Sequence, residues 1–485
     1  MYGHLILLAL LPAAVATGPA FKTCLTSSGI FSPTYLPTDG AYQTQFEHNH
    51  ITRDAPMPQA FFLPASASQI VQALGCARQS GLGVCTRAGG HSWSSSSLCN
   101  GVVIDLQQLK RMKVRNNRRK AYFDAGITTG EAVYRLVTEH GLVIPSGTCT
   151  SVGLTGWTLS GGIGTMTGEV GLGCDQVARY KMILANGTKV VAASDKNPDL
   201  FRAMCGGGGG HFAIVYGMVL KMHSAATYNE VVHFEYMSTA ASTAAEVIKD
   251  WNDFDHDSVS SNYMRVQIIH REGLMTTFRV FGLCWRSDVP TCEARLTNYG
   301  FLSKPGMTRT KMIALDSVLK ALPLVAEGTP ADYFRHFAGR QKGNYRESSS
   351  VVWTDKTSLP LSFYENLVDI LRRSSVSGTM SIAQWSPLHG SLRAKANSES
   401  TFRFRDADSS WDQYFFGTRS MRKMFKAEFK AAVAQSGNKV GTYANYADKT
   451  VPVSEYYPDG ALEELRRWKV QLDPDNLFLA AQPLL

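Results

Sequence analysis

The spacing of apolar and polar positions changes character near residue 225. From Phe62 to Lys221, short β-rich runs alternate with helical patterns. Ser68 to Gln79 has helical spacing, with Ser68 as its opening residue and a stop before Gly81. Leu82-Gly83-Val84-Cys85-Thr86 follows as a strand, and Thr129 to His140 is a second helix that Gly141 ends. Val177–Leu184 and Lys189–Ala193 flank Asn186-Gly187, a strong hairpin turn, and Phe212–Met222 is a final strand. Val102-Val103-Ile104-Asp105-Leu106 and Ala121-Tyr122-Phe123-Asp124-Ala125 read as two strands of a hairpin turning at Asn116-Asn117. This mixture predicts an α+β domain with much mixed sheet, not a repeated βαβ array.

From about Thr227 to Gly441 the glycine clusters stop and longer amphipathic segments appear, such as Ala240–Phe254 and Ser362–Arg373. Candidate strands are Ser261–His270, Met275–Trp285 and Ser348–Trp353. The pattern predicts a second domain in which helices cover an antiparallel sheet. A last helix is expected over Gly460–Leu472, and there are no internal repeats.

Composition narrows the class. The 485 residues suit two domains, and 44% hydrophobic with 18% charged residues is a globular balance. The apolar run Leu5–Leu11 followed by Ala14-Val15-Ala16 reads as a secretory signal over residues 1–16, although its n-region offers only His4. It is much shorter than the ~20 apolar residues of a membrane span. In a secreted protein the nine cysteines would pair and leave one over. Cys284 and Cys292 can close a short loop, and Cys24 can reach Cys76. Asn186-Gly187-Thr188 is a glycosylation sequon on a predicted turn. The net charge is +9, and Lys110–Lys120 holds seven Lys or Arg and no acid. That run raises nucleic acid or another polyanion as a partner. Basic residues decorating an exposed hairpin account for it better, so no nucleic-acid partner and no membrane span are expected.

The glycines carry the chemistry. No G-x-x-x-x-G-K-[ST] occurs, and the dinucleotide spacing at Gly162-Ile163-Gly164 fails because the next glycine is Gly168. Three glycine-rich loops remain: Arg87–His91, Gly153–Gly164 and Gly206–Gly210. Glycine lets backbone approach a ligand closely, and converging N–H groups form an anion site. Three such loops favour a long ligand with a pyrophosphate in its middle.

Arg87-Ala88-Gly89-Gly90-His91-Ser92-Trp93, Gly147 to Gly153, Ser160 to Gly164, Gly171 to Asp175 and Leu200 to Gly208 together resemble the FAD-binding fold of the vanillyl-alcohol oxidase and p-cresol methylhydroxylase superfamily. Asn445-Tyr446-Ala447-Asp448 and Leu465–Phe478 resemble the berberine bridge enzyme signature. The resemblance implies a two-domain α+β FAD-dependent oxidoreductase. It implies an FAD domain at 17–225 with its core at 56–225, a substrate domain at 226–440, and a segment 441–485 returning to the FAD domain. FAD would be bonded at His91, and in a subset of the family also at a cysteine, here Cys149. The alternative for Cys149 is a disulfide. The resemblance also supports a Cys24–Cys76 bridge, and Cys174 and Cys205 are a further candidate pair.

The cofactor contacts it implies are Arg87, Ala88, Gly89, Gly90, His91, Ser92, Cys149, Thr150, Val152, Gly153, Gly156, Ser160, Gly161, Gly162, Gly164, Ile214, Val215 and Asn445; no metal is expected. Tyr446 falls at the position of the family's base. The alternatives are a buried core tyrosine there, or Tyr443 in its place. Gln384 and His389 are candidate pocket residues. The chain departs from the family at Gly168-Glu169-Val170, where an acid would alter the charge near the cofactor, and at Trp157, bulky where smaller residues are common. The expected reaction passes a hydride from an alcohol, sugar or secondary metabolite to flavin, with dioxygen as acceptor. A dehydrogenase with another acceptor and a flavin protein without catalysis stay open, as does the oligomeric state.

Overall fold

The computed structural model describes residues 17–485 except 53–54, 116–118, 208, 260–261, 272–276, 326–346, 354–358, 374–379, 416–418, 438 and 481. Among the described residues three large sheets organise the chain, beside a two-stranded pair of Leu142–Val143 with His223–Ser224. The first is built on Ala60–Phe62, Val102–Asp105 and Val84–Arg87 in parallel, with Thr34–Tyr35 antiparallel at its edge. The second is antiparallel, in the order Met112–Val114, Lys120–Asp124, Ala213–Lys221, Val177–Leu184, Lys189–Ala192. The third has eight antiparallel strands, all drawn from residues between Val231 and Gly441. The protein has the two-domain α+β architecture expected from its sequence.

Helix Thr129–His140 has the expected bounds, because Thr128 caps Glu131 N–H and Gly141 takes the left-handed φ of +60° that a helix stop favours. The hairpin at Asn186-Gly187 forms as expected, with Ile183 opposite Lys189 and Tyr180 opposite Ala192. The first helix begins earlier than expected. It spans Ala67–Gln79, and Ser66, not Ser68, accepts from Gln69 N–H.

The basic hairpin is also different. Val102–Asp105 is a central parallel strand of the first sheet, buried on both faces, and Lys120–Asp124 pairs instead with Met112–Val114. Both strands of the expected hairpin exist, but they belong to different sheets. Its expected turn at Asn116-Asn117 lies outside the described residues, as do the starts of the predicted strands at Ser261 and Met275.

One apolar core runs through both domains, joining Phe123, Leu154 and Met218 to Phe281, Trp285 and Leu322. The Trp285 indole donates to Thr165 O at 2.9 Å across that junction. The C-terminal tail returns to the first sheet, where Val84 N–H donates to Leu477 O and Leu479 N–H to Val84 O. Buried Lys469 fixes this return by donating to Phe478 O, His211 O and Asp473.

Four disulfides join Cys24–Cys76, Cys85–Cys99, Cys174–Cys205 and Cys284–Cys292. Three match the candidate pairs. Cys85–Cys99 was not foreseen, and it closes a loop around His91. Cys149 stands outside these bridges and is exposed.

Candidate functional site

The glycine loops, the C-terminal segment and one face of the large sheet converge on a cavity of about 570 Å³. That is within the ~300–1,000 Å³ usual for small-molecule sites. Its FAD-domain wall is mostly backbone. Gly89 and Gly153 cross so closely that a Cβ on Gly89 would lie 2.1 Å from Gly153 N, and one on Gly153 would lie 2.4 Å from Gly89 N. Neither position accepts a side chain, so two loops far apart in sequence meet with their backbones bare. The loop after His91 continues through a serine-rich stretch to the Cys85–Cys99 clamp.

The His91 ring stacks on His50 at 4.2 Å with 14° between planes, and His50 N–H donates to Gly90 O at 2.7 Å. Trp93 meets His50 edge-on at 4.7 Å. In the loop that crosses theirs, the first turn of helix Thr129–His140 holds the segment that carries Cys149. Thr129 Oγ1 donates to Cys149 O, Thr129 N–H to Val152 O and Gly130 N–H to Thr150 O.

Fifteen of the expected residues line this cavity: Ala88, Gly89, Gly90, His91, Ser92, Cys149, Thr150, Val152, Gly153, Gly156, Ser160, Gly164, Val215, Asn445 and Tyr446. Four do not. Arg87 is wholly buried beneath the loop, where it binds Asp105 and Gln45 O and lies 4.7 Å over the Phe61 ring. Ile214 points into the core because side chains alternate along a strand, and its neighbour Val215 takes the cavity side. Gly161 and Gly162, at φ +113° and +87°, form the turn behind the wall, packed on Phe402, Gly173 and Trp157.

Gly162 N–H and Ile163 N–H both donate to the Tyr443 phenol oxygen at 3.1 Å, and Asn445 Nδ2 donates to it at 2.8 Å. Burial nevertheless pushes Tyr443 up to about 12, so it is a neutral strut at ordinary pH. Tyr446, half-buried and lining the cavity, stands 5.8 Å from the Tyr443 ring and 6.3 Å from Trp93.

Trp157 does line the cavity, its indole donating to Ile163 O. Glu169 does not: its buried carboxylate pairs with Arg286 at 2.9 Å, so the expected charge at the cofactor loops is neutralised elsewhere. His389 is likewise outside the cavity lining, buried in the substrate domain 6.1 Å from the His256 ring.

The opposite wall is a face of the eight-stranded sheet. Arg279, Gln267, Gln384 and Asp412 stand opposite one another across four strands, with Arg265, Ser386 and Ser410 nearby and all seven facing the cavity. Arg279 Nε donates to Gln267 at 2.6 Å, Arg265 donates to Gln384 and Ser386, and Gln384 Nε2 reaches Asp412 at 3.5 Å. Sequence reasoning found only Gln384 in this row. His211 was also missed, although it directly follows the third glycine loop. It lines the cavity, and burial, helped by Lys469, pushes it down to about 4.

Residues 58–193 match the family model described as FAD binding domain, and residues 442–484 match berberine and berberine like. The two matches meet at the cavity, which both segments line. The chain is an FAD-linked oxidoreductase that carries a berberine-like segment. It is 29% identical over 430 residues to the FAD-linked oxidoreductase YgaK of Bacillus subtilis, covering 85% of this chain and 88% of that one. It is 28% identical to berberine bridge enzyme-like 11 of Arabidopsis thaliana, over 51% of this chain and 50% of that one.

Among solved structures, BBE-like 1 of Physcomitrella patens superposes with a TM-score of 0.84 at 22% identity, over 96% of this chain and 99% of that one. Glucooligosaccharide oxidase of Acremonium strictum does so at 0.81 and 21%, over 97% and 99%. The Acremonium flavin is named 6-S-cysteinyl, 8α-N1-histidyl FAD. The donor set of this FAD-linked oxidoreductase fits FAD, because the glycine crossing leaves bare backbone for it beside one histidine and one exposed thiol. Among the described residues, Cys174, Asp175 and Cys205 lie close enough to hold a metal. They are instead a disulfide beside a carboxylate that Arg405 binds at 2.9 and 2.8 Å.

Proposed function

We propose that this protein is a secreted oxidase that carries FAD bonded to both His91 and Cys149 and oxidises a hydroxylated small molecule, with dioxygen as acceptor. The observation that carries the reading is the convergence of His91, Cys149 and Tyr446 on one cavity with a polar sheet face. Bound FAD would supply the hydride acceptor at N5 and the two electrons that reduce dioxygen to hydrogen peroxide.

The chain's own residues do the rest. Gly89, Gly153 and their neighbours present backbone N–H groups to an anionic diphosphate. His91 and Cys149, on crossing loops, anchor the ring system at two points and hold its orientation. Gln267, Gln384 and Asp412 offer donors and acceptors to substrate hydroxyls and set the reacting carbon. Tyr446 takes the hydroxyl proton as the carbon gives up its hydride, so the alcohol becomes a carbonyl. Tyr443 and Asn445 position Tyr446 by tying its segment to the Gly162 turn. The polar row favours a sugar or another polyhydroxylated alcohol over a purely aromatic metabolite.

Four disulfides support an oxidising compartment, and Asn186 is exposed on its turn for glycosylation. The same reading divides the chain into an FAD part at 17–225, a substrate part at 226–440 and the returning segment 441–485.

The test is a peroxide assay of the purified flavoprotein against sugars and aromatic alcohols. Peroxide released with a sugar supports the reading. Flavin that is bleached by substrate and stays bleached in air would instead make the protein a dehydrogenase.

A further inference from the structure

The inner face of the five-stranded sheet sends Ala121, Phe123, Met218 and Leu220 into the core. The outer face is different. At one end Ile183 and Ile214 are covered by the layer that contains helix Ala67–Gln79. Over the rest, the strand register lines up cations.

Arg115 lies opposite Lys120, which pairs with Lys221. The next row is Lys113, Tyr122, Val219 and Arg179. Beyond it Asp124 and Lys181 flank Gly217, and Arg111 N–H bonds to Asp124. Neighbouring strands are ~4.8 Å apart and same-face residues ~6.8 Å apart, so these side chains form a regular charged grid. All of these cations except the partly buried Lys181 are exposed.

Two carboxylates stand beside these seven cations. Asp124 is engaged by Arg111 and by the Tyr122 hydroxyl, and Asp195 lies 3.7 Å from Arg179. Like charges directly opposite each other weaken a strand pair, so Lys120 against Lys221 works against the fold.

We propose that this outer face docks a linear acidic polysaccharide, whose regularly spaced sugar carboxylates lie along the cation grid. The aromatic content of the face distinguishes this partner from nucleic acid. The face holds two tyrosines, Tyr122, 8% exposed with Arg111 at 5.1 Å and Lys181 at 4.6 Å over the ring, and Tyr216, partly buried against the layer that contains helix Ala67–Gln79. They therefore offer no platform for stacking bases, on which sequence-tolerant binders of single strands rely. The four disulfides also match the oxidising compartment in which acidic polysaccharides occur. The cavity lies on the other side of the sheet, lined by the inner-face residue Val215, so docking and turnover are separable.

The test is binding of the intact flavoprotein to immobilised, fully de-esterified polygalacturonate at about 20 mM and about 300 mM salt. We expect binding at low salt that weakens at least about tenfold at high salt, as contacts between several charge pairs do. The triple variant Lys113→Gln, Lys120→Gln, Lys221→Gln should lose at least about tenfold at low salt, with flavin absorbance and turnover unchanged and a melting temperature no lower than the parent's. The control pair Lys320→Gln, Arg372→Gln, in the substrate domain, should bind as the parent does. Wild-type affinity in the triple variant, equal loss in both variants, equal binding to fully methyl-esterified polymer, or tighter binding to single-stranded DNA would each overturn the proposal.

Discussion

On one side of the cavity the backbone does the lining; on the other, side chains do. The FAD-domain wall is two crossed glycine loops, a histidine and a cysteine, held by backbone crossing, by the first turn of helix Thr129–His140 and by a buried ion pair. The sheet wall is a row of Arg279, Gln267, Gln384 and Asp412, one from each of four strands, bonded mainly to each other. A backbone wall cannot be varied without losing the ligand it fits. A side-chain wall can be rewritten residue by residue while the sheet keeps its register, because the strands pair through backbone N–H and C=O groups. On the proposed reading, the first wall fits the cofactor and the second meets the substrate.

Mutations at the two walls should therefore fail in different ways. The largest effect belongs to the chemistry. Tyr446→Phe should lower kcat by ~10²–10⁴-fold while flavin content stays normal, measured by rapid mixing with substrate. A smaller loss, or equal loss in Tyr443→Phe, would move the proton acceptor elsewhere.

Next comes the support of the backbone wall. Asp105→Asn leaves the Arg87 guanidinium buried without its carboxylate, and should cost ~3–5 kcal/mol in denaturant unfolding together with flavin content. Asp448 ties the Tyr446 segment to Lys426 and Lys430 at 2.9 and 2.8 Å on helix Arg419–Ser436. Burial raises its pKa, but the two ammonium groups outweigh burial and hold it at about 2. A depressed carboxyl gives its stability above its unfolded value and loses it as pH falls towards 2, so the window is roughly pH 4 to 2. The contribution is roughly 2 kcal/mol, and Asp448→Asn should flatten that part of the acid-unfolding curve.

Gly153→Ala should cost ~1–3 kcal/mol and displace the Arg87–His91 loop, read as lost covalent flavin. The smallest change belongs to the side-chain wall. Gln384→Ala should raise KM by roughly tenfold or less, about the value of one hydrogen bond, with flavin content and kcat nearly unchanged.

The same contrast explains what could be read in the chain beforehand. His91, Cys149, Gly153 and Tyr446 were legible because they sit in short contiguous runs that resemble the family's motifs. Helix Thr129–His140 was legible because Gly141 marks its end, and the structure adds Thr128 as its cap. Gln267, Arg279 and Asp412 were not legible. Each is one polar residue in an alternating strand, and only the cross-strand register makes a row of them. The misassigned hairpin failed for a related reason. Val102–Asp105 and Ala121–Asp124 have the residues of paired strands, but non-local pairing places the first between two parallel neighbours. Arg87 looked like a ligand contact because it heads the motif, whereas its job is to hold the loop from beneath.

The account's central claim is that the two loops present His91 and Cys149 to one flavin. The most direct measurement is to denature the purified protein in acid, digest it, and map flavin-bearing peptides by mass. The account predicts a single flavin joining the His91 peptide to the Cys149 peptide. Yellow colour released to the supernatant, or flavin on neither peptide, would contradict it.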